Sequence, residues 1–268
     1  MESSTAPAGQ KRAANSPASD IPRQKKICSA KMEGLGFLEM LSTEMVEISI
    51  GKRNDKKHIR VHKGLLCSKI PYFEKMLSGG FKEAAENSAE FPEEDIEAFK
   101  NLMQWVYSGT LPRFRWVQDL EGEDGEFESS WCIGQTYLLL DKFCLFSLAD
   151  QALTDFITAT AEMSIVPDFG LIQSLYELAP QGSPLRKLAL HYFHFTMNGQ
   201  TPEEVAASNW DMEEVRHGFL KNGEFLFDYL KLMHQHDNQQ MVQDPGQMPK
   251  CAFHHHGEGE PCSVTPSC

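Results

Sequence analysis

No apolar run in this chain approaches the roughly 20 residues needed to cross a bilayer, so the sequence gives no reason to expect a membrane span. The opening residues, MESSTAPAGQKRAANSPASD, also lack the apolar stretch of a secretory signal. Positive charge is short: 25 Lys and Arg stand against 38 Asp and Glu, a net charge of −13. That balance argues against a domain that holds nucleic acid by neutralising phosphates, and it favours protein partners. The seven cysteines are odd in number and scattered, which fits reduced thiols inside a cell better than a disulfide framework. No phosphate-cradling P-loop, GxGxxG, GxSxG or HExxH string occurs, so no catalytic residue is assigned and the chain reads as non-enzymatic.

At 268 residues the chain has room for one main core with appendages. Residues 1–40 read as a tail: the first thirty are rich in Ala, Ser, Pro and basic residues without apolar periodicity, and cannot bury enough surface to offset chain entropy. From Val46 the order Val46, Ile48, Ile50 alternates with polar residues, turns through Gly51 to Lys57 and resumes at Ile59 and Val61, which predicts a hairpin with one buried face. LLCSKIPYFEKML places Leu65, Leu66, Ile70, Phe73, Met76 and Leu77 at helical spacings, with Pro71 suited to the first turn of a second helix. A brief strand at Glu90 and Phe91 leads to Pro92–Asp95, read as an acidic first turn, and a helix carrying Ile96, Phe99, Met103 and Val106 that Gly109 ends. Residues 118–130 hold six carboxylates and no basic residue and read as an exposed insertion. Helices are expected at 131–143 and 146–159, and then in an annex over 165–234, with candidates at 168–178, 184–196 and 223–234. Residues 236–268 read as a polar tail. The fold class is therefore α+β, a small sheet flanked by short helices, followed by a helical extension.

Within RVHKGLLCSKIPYFEKMLSGGFKEAAE, His62 precedes an apolar helix with Leu65, Leu66, Ser68 and Phe73, and FPEEDIEAFKNLMQWVYSGTL ends in Tyr107-Ser108-Gly109. These landmarks, in this order, resemble the BTB/POZ family over about 44–160, and look like its fungal branch, without a kelch propeller or zinc-finger array. The resemblance implies a protein-protein interaction adaptor. Phe81-Lys82-Glu83 is similar to the hydrophobic-x-Glu motif by which some BTB adaptors engage the cullin scaffold of a ubiquitin ligase, making Phe81 the apolar anchor and Glu83 the register-setting charge. The alternative is a nuclear scaffold or transcriptional cofactor that acts by oligomerisation. The swapped N-terminal strand and helix of dimeric members are not legible, which leaves homo-oligomerisation open.

Three further patterns stand apart from the domain. Lys11 and Arg12, then Arg23, Lys25 and Lys26 after ten intervening residues, match a bipartite nuclear-import signal, so nucleus, cytoplasm or both are expected. Cys251, His254, His256 and Cys262 form Cys-x2-His-x-His-x5-Cys, with His255 and Cys268 as alternates, and thiolate with imidazole is the donor set that tetrahedral zinc prefers. No other cofactor is expected, and the Gly, Pro and Glu-rich surroundings offer few apolar residues to hold such a site. Cys67, Cys132 and Cys144 are read as small core residues, and His62 as a hydrogen-bonded structural group.

Overall fold

The computed structural model describes residues 36–52, 55–118, 127–198, 210–235, 242–256, 261–262 and 264. All of them fall within the unit Leu35–Cys268. A short helix α1 (Phe37–Leu41) precedes the hairpin strands β1 (Met45–Ile50) and β2 (Lys57–His62). Helices α2 (Lys63–Lys69), α3 (Pro71–Ser78) and α4 (Lys82–Glu86) lead to β3 (Ser88–Phe91) and α5 (Ile96–Ser108). After a ribbon of β4 (Trp116–Gln118) and β5 (Phe127–Ser129) come α6 (Ile133–Lys142), α7 (Phe146–Glu162), α8 (Phe169–Leu178), α9 (Pro184–Asn198), α10 (Met212–Lys221) and α11 (Gly223–Gln235). A 3-10 turn, Lys250–Phe253, follows.

The main sheet has the order β2-β1-β3, with β1 antiparallel to β2 and parallel to β3. Central β1 buries the alternating Val46, Ile48 and Ile50 that the period-two pattern marks. Residues α2 and α3 break at Ile70, whose φ −125° and ψ 99° are the extended values that a following proline enforces. Phe73, Phe91, Phe99 and Phe143 form an aromatic cluster beneath the sheet, with Phe73–Phe143 centroids at 5.2 Å and Phe91–Phe99 at 5.3 Å. Each buried ring stabilises by about 1.5–3 kcal/mol before contact geometry is counted. Gly109, at φ 83°, closes α5 in the left-handed conformation that glycine adopts without strain.

A second aromatic cluster serves the C-terminal helices. Tyr176 stacks on Phe225 at 4.5 Å, Phe193 lies 5.1 Å from Phe225, and Arg186 sits 4.0 Å over the Tyr176 ring while pairing with Glu224 at 2.9 Å. Among the described residues no helix is long and apolar enough to cross a membrane.

Several expectations need correction. The turn at Pro92–Glu94 lies before α5, not in it; Asp95 is the N-cap, its side chain accepting from Ala98 N at 2.8 Å. The acidic segment is not wholly loop, since β4 pairs β5 with Trp116 opposite Ser129, while residues 119–126 lie outside the described residues. Cys67 is buried, but Cys132 and Cys144 are exposed. Cys132 caps α6 and Cys144 sits in the α6–α7 turn at φ 58°, positions set by chain reversal instead of packing. Helices α1, α4 and α10 were not marked by the periodicity.

Candidate functional site

His62 and Tyr107, the landmarks that open and close the family pattern, meet in space. The Tyr107 hydroxyl lies 3.0 Å from His62 Nδ1 and accepts from His62 N at 3.2 Å, stitching β2 to α5 across 45 residues. His62 is thus a hydrogen-bonded structural group. Cys67 is likewise inert packing, because burial pushes its thiol up to about 11.

Phe81 is 61% exposed and sits at the N-cap of α4, its carbonyl accepting from Ala84 N and Ala85 N. Gly79 makes room for the ring: a Cβ there would stand 2.9 Å from Phe81 Cδ2. Glu83 lies in the first turn of α4, half-buried, and Asn87 closes the helix in the left-handed conformation at φ 53°. The Asn87 amide then donates to Met45 O at 2.7 Å, so the short helix is tethered to β1 although its own residues bury nothing. A second apolar surface is α1, where Phe37 and Leu38 are exposed and no residue is buried. A groove of ≈ 330 Å³ between the edge strand β2 and α5 is lined by Ile59, Arg60, Val61, Lys100, Met103 and Tyr107 among others.

The tail cluster is assembled. One ligand atom each from Cys251, His254, His256 and Cys262 lies within 4.8 Å of all the others. Cys251 and His254 belong to one tight turn, His254 N donating to Cys251 O at 3.3 Å. The segment is anchored by Phe253, which is fully buried, its ring 5.4 Å from His191, and by Lys187, which donates to Ala252 O at 2.8 Å. His255 faces away from the cluster. Its backbone N and ring Nδ1 both donate to buried Asp150 on α7, at 3.0 and 2.6 Å, and its Nε2 lies 2.9 Å from the Tyr137 hydroxyl, which burial holds well above its ordinary pKa and so neutral. Phe253 supplies the apolar hold that the tail composition did not promise, and nothing in the spacing alone distinguished His255 from its neighbours.

The basic residues Lys11, Arg12, Arg23, Lys25 and Lys26, and the alternate Cys268, lie outside the described residues.

The domain model of the BTB/POZ family matches residues 39–120. Among curated proteins of Mus musculus, TD and POZ domain-containing protein 2 is 35% identical over 54 residues, which is 20% of this chain and 15% of that protein. TD and POZ domain-containing protein 3 is 32% identical over 53 residues, 20% of this chain and 14% of its own length. The matched stretch is thus a small part of either relative. Residues 39–120, matched by the domain model, hold the hairpin, the helix pair and the His62–Tyr107 stitch, and over them the chain carries a BTB/POZ domain, a protein-protein interaction module.

Proposed function

We propose that the chain is a non-enzymatic adaptor whose BTB/POZ domain docks a cullin-type ubiquitin-ligase scaffold through Phe81 and Glu83. The supporting observation is the exposed Phe81 ring, held at the N-cap of a helix whose first turn carries Glu83. An apolar anchor beside a fixed charge is the pairing that gives an interface both affinity and register. The helices beyond α7 would then offer a second contact for a substrate, with Phe227 and Leu230 on α11 the exposed apolar residues available.

The test is a pull-down of the full chain with a cullin N-terminal domain, wild type against a Phe81→Ala, Glu83→Lys double variant. Capture of wild type and loss in the variant supports the reading; no capture by folded wild type removes it. A second reading, an oligomeric nuclear scaffold without ligase role, is favoured by α1, whose Phe37 and Leu38 are exposed. Light scattering would read it: a homo-oligomer that becomes monomeric with Phe37→Glu and Leu38→Glu. Nuclear entry, in either reading, rests on Lys11, Arg12, Arg23, Lys25 and Lys26, and alanines at Lys25 and Lys26 would leave a tagged chain in the cytoplasm.

A further inference from the structure

The Cys251, His254, His256 and Cys262 cluster has a second layer that fixes which atoms face inward. Thr154 Oγ1 donates its hydrogen to Asp150 O at 3.0 Å, within α7. Its lone pair therefore faces His254 Nε2 at 2.9 Å, which makes that nitrogen the protonated one. The lone pair on Nδ1 is left pointing into the cluster, 3.2 Å from Cys262 Sγ. A hydrogen bond that holds the outer ring nitrogen and sets the tautomer of the inner one is what a metal-ligating histidine needs. Cys262 Sγ in turn accepts from Val264 N at 3.4 Å, a contact that favours the thiolate. The His254 and His256 rings lie edge to face at 5.8 Å.

From this geometry we propose that Cys251, His254, His256 and Cys262 bind one zinc ion as a structural clasp that fixes the C-terminal tail on α7 and α9. Zn–N of about 2.0–2.1 Å and Zn–S of about 2.3 Å place tetrahedral ligand atoms about 3.3–3.8 Å apart. The cluster's 4.8 Å limit means that small rotamer shifts close it. Two thiolates cancel the charge of the ion, so its burial beside His254, which is only 6% exposed, leaves no net charge to solvate. With no carboxylate in the set, hard cations such as calcium and magnesium are poorly served. Four protein ligands leave no open position, which makes the role structural and not catalytic.

Cys251 stands in a disulfide. Zinc binding belongs to the reduced chain. Two molecules of a low-molecular-weight thiol reduce that disulfide, forming their own disulfide and giving up two electrons and two protons to the chain, and the ion then displaces the protons of Cys251 and Cys262. The clasp is consequently formed under reducing conditions and opened by oxidation.

The proposal stands apart from the cullin reading, since it involves neither Phe81 nor Glu83. Its test uses the full chain made in zinc-supplemented medium, kept in a thiol reductant and dialysed against a weak chelator. Elemental analysis is expected to find one zinc per chain, and cobalt exchanged into the site to show thiolate charge-transfer bands. Cys262→Ser should lose both, while Cys132→Ser, at an exposed cysteine outside the cluster, keeps them. Thr154→Val retains all four ligands and tests the second layer without dismantling the first; in chelator competition it should weaken zinc affinity by roughly 10–100-fold. Wild type without zinc under these conditions overturns the proposal, as does zinc that survives Cys262→Ser unchanged.

Discussion

The ring cluster beside the main sheet and the polar attachments of the C-terminal region draw on different forces. In the domain, Phe73, Phe91 and Phe99 form one cluster of rings together with Phe143 at the end of α6, and the ring-on-ring contacts themselves neither titrate nor respond to salt. The C-terminal region has aromatic contacts too, but its attachments run through polar groups: Asp150 to His255, Thr154 to His254, Lys187 to Ala252 O, Tyr176 to Asp228, Arg186 to Glu224. Ring packing of this kind is insensitive to pH and redox state. The attachment through Asp228 is conditional on pH, and the proposed zinc clasp would add a dependence on redox state.

The largest effect expected is from Phe73→Ala, which leaves a hole at the centre of the ring cluster and costs about 3–5 kcal/mol. Denaturant titration should show the loss in a single transition, with the same size at pH 5 and pH 8. Asp150→Ala comes next. It strands the His255 backbone N–H and ring Nδ1 in a half-buried place, a loss of roughly 2–4 kcal/mol. Hydrogen exchange should localise the change to 253–256 and α7 while α5 keeps its protection. Equal deprotection of α5 would erase the distinction between the two regions.

How much of this was readable from the chain differs along the same line. The hairpin, the α2–α3 pair and α5 follow from period-two and 3.6-residue patterns among near neighbours, and Pro71 and Gly109 mark their own boundaries. The Phe81 and cysteine–histidine patterns were legible as spacing. Their surroundings were not, because the groups that position His254 and His255 lie 100 residues or more upstream. Helix α10 escaped because only Val215 and Gly218 of it are buried, too sparse for a stripe. The ribbon β4–β5 was hidden by the carboxylates around it, and Cys132 and Cys144 were misplaced because apolar neighbours say nothing about which residue sits at a turn.

Acid sharpens the comparison next, with a smaller effect. Burial pushes the Asp228 carboxyl up, but the hydrogen bonds from Lys231 and Tyr176 outweigh it and hold the group below its ordinary value. A depressed carboxylate contributes stability that is fully present above the ordinary carboxylate range and is lost as pH falls through that range toward the folded value. Amides of α11 should therefore exchange faster as pH drops below about 4, after the pH dependence of intrinsic exchange is divided out. Asp228→Asn should flatten that response, and the Phe73 cluster should show none of it.

The smallest expected change in stability is at Phe81. With its ring 61% exposed, Phe81→Ala removes little buried surface and should alter unfolding free energy by no more than about 0.5 kcal/mol. The same substitution should cost about 2 kcal/mol or more in partner binding, roughly thirtyfold in Kd, if the ring fills a pocket on the partner. Thermal melting and titration calorimetry on one preparation separate the two quantities. A large stability loss would make Phe81 part of the fold, supporting Gly79 and α4 from outside; unchanged binding would return it to the many single apolar residues that protein surfaces carry without consequence.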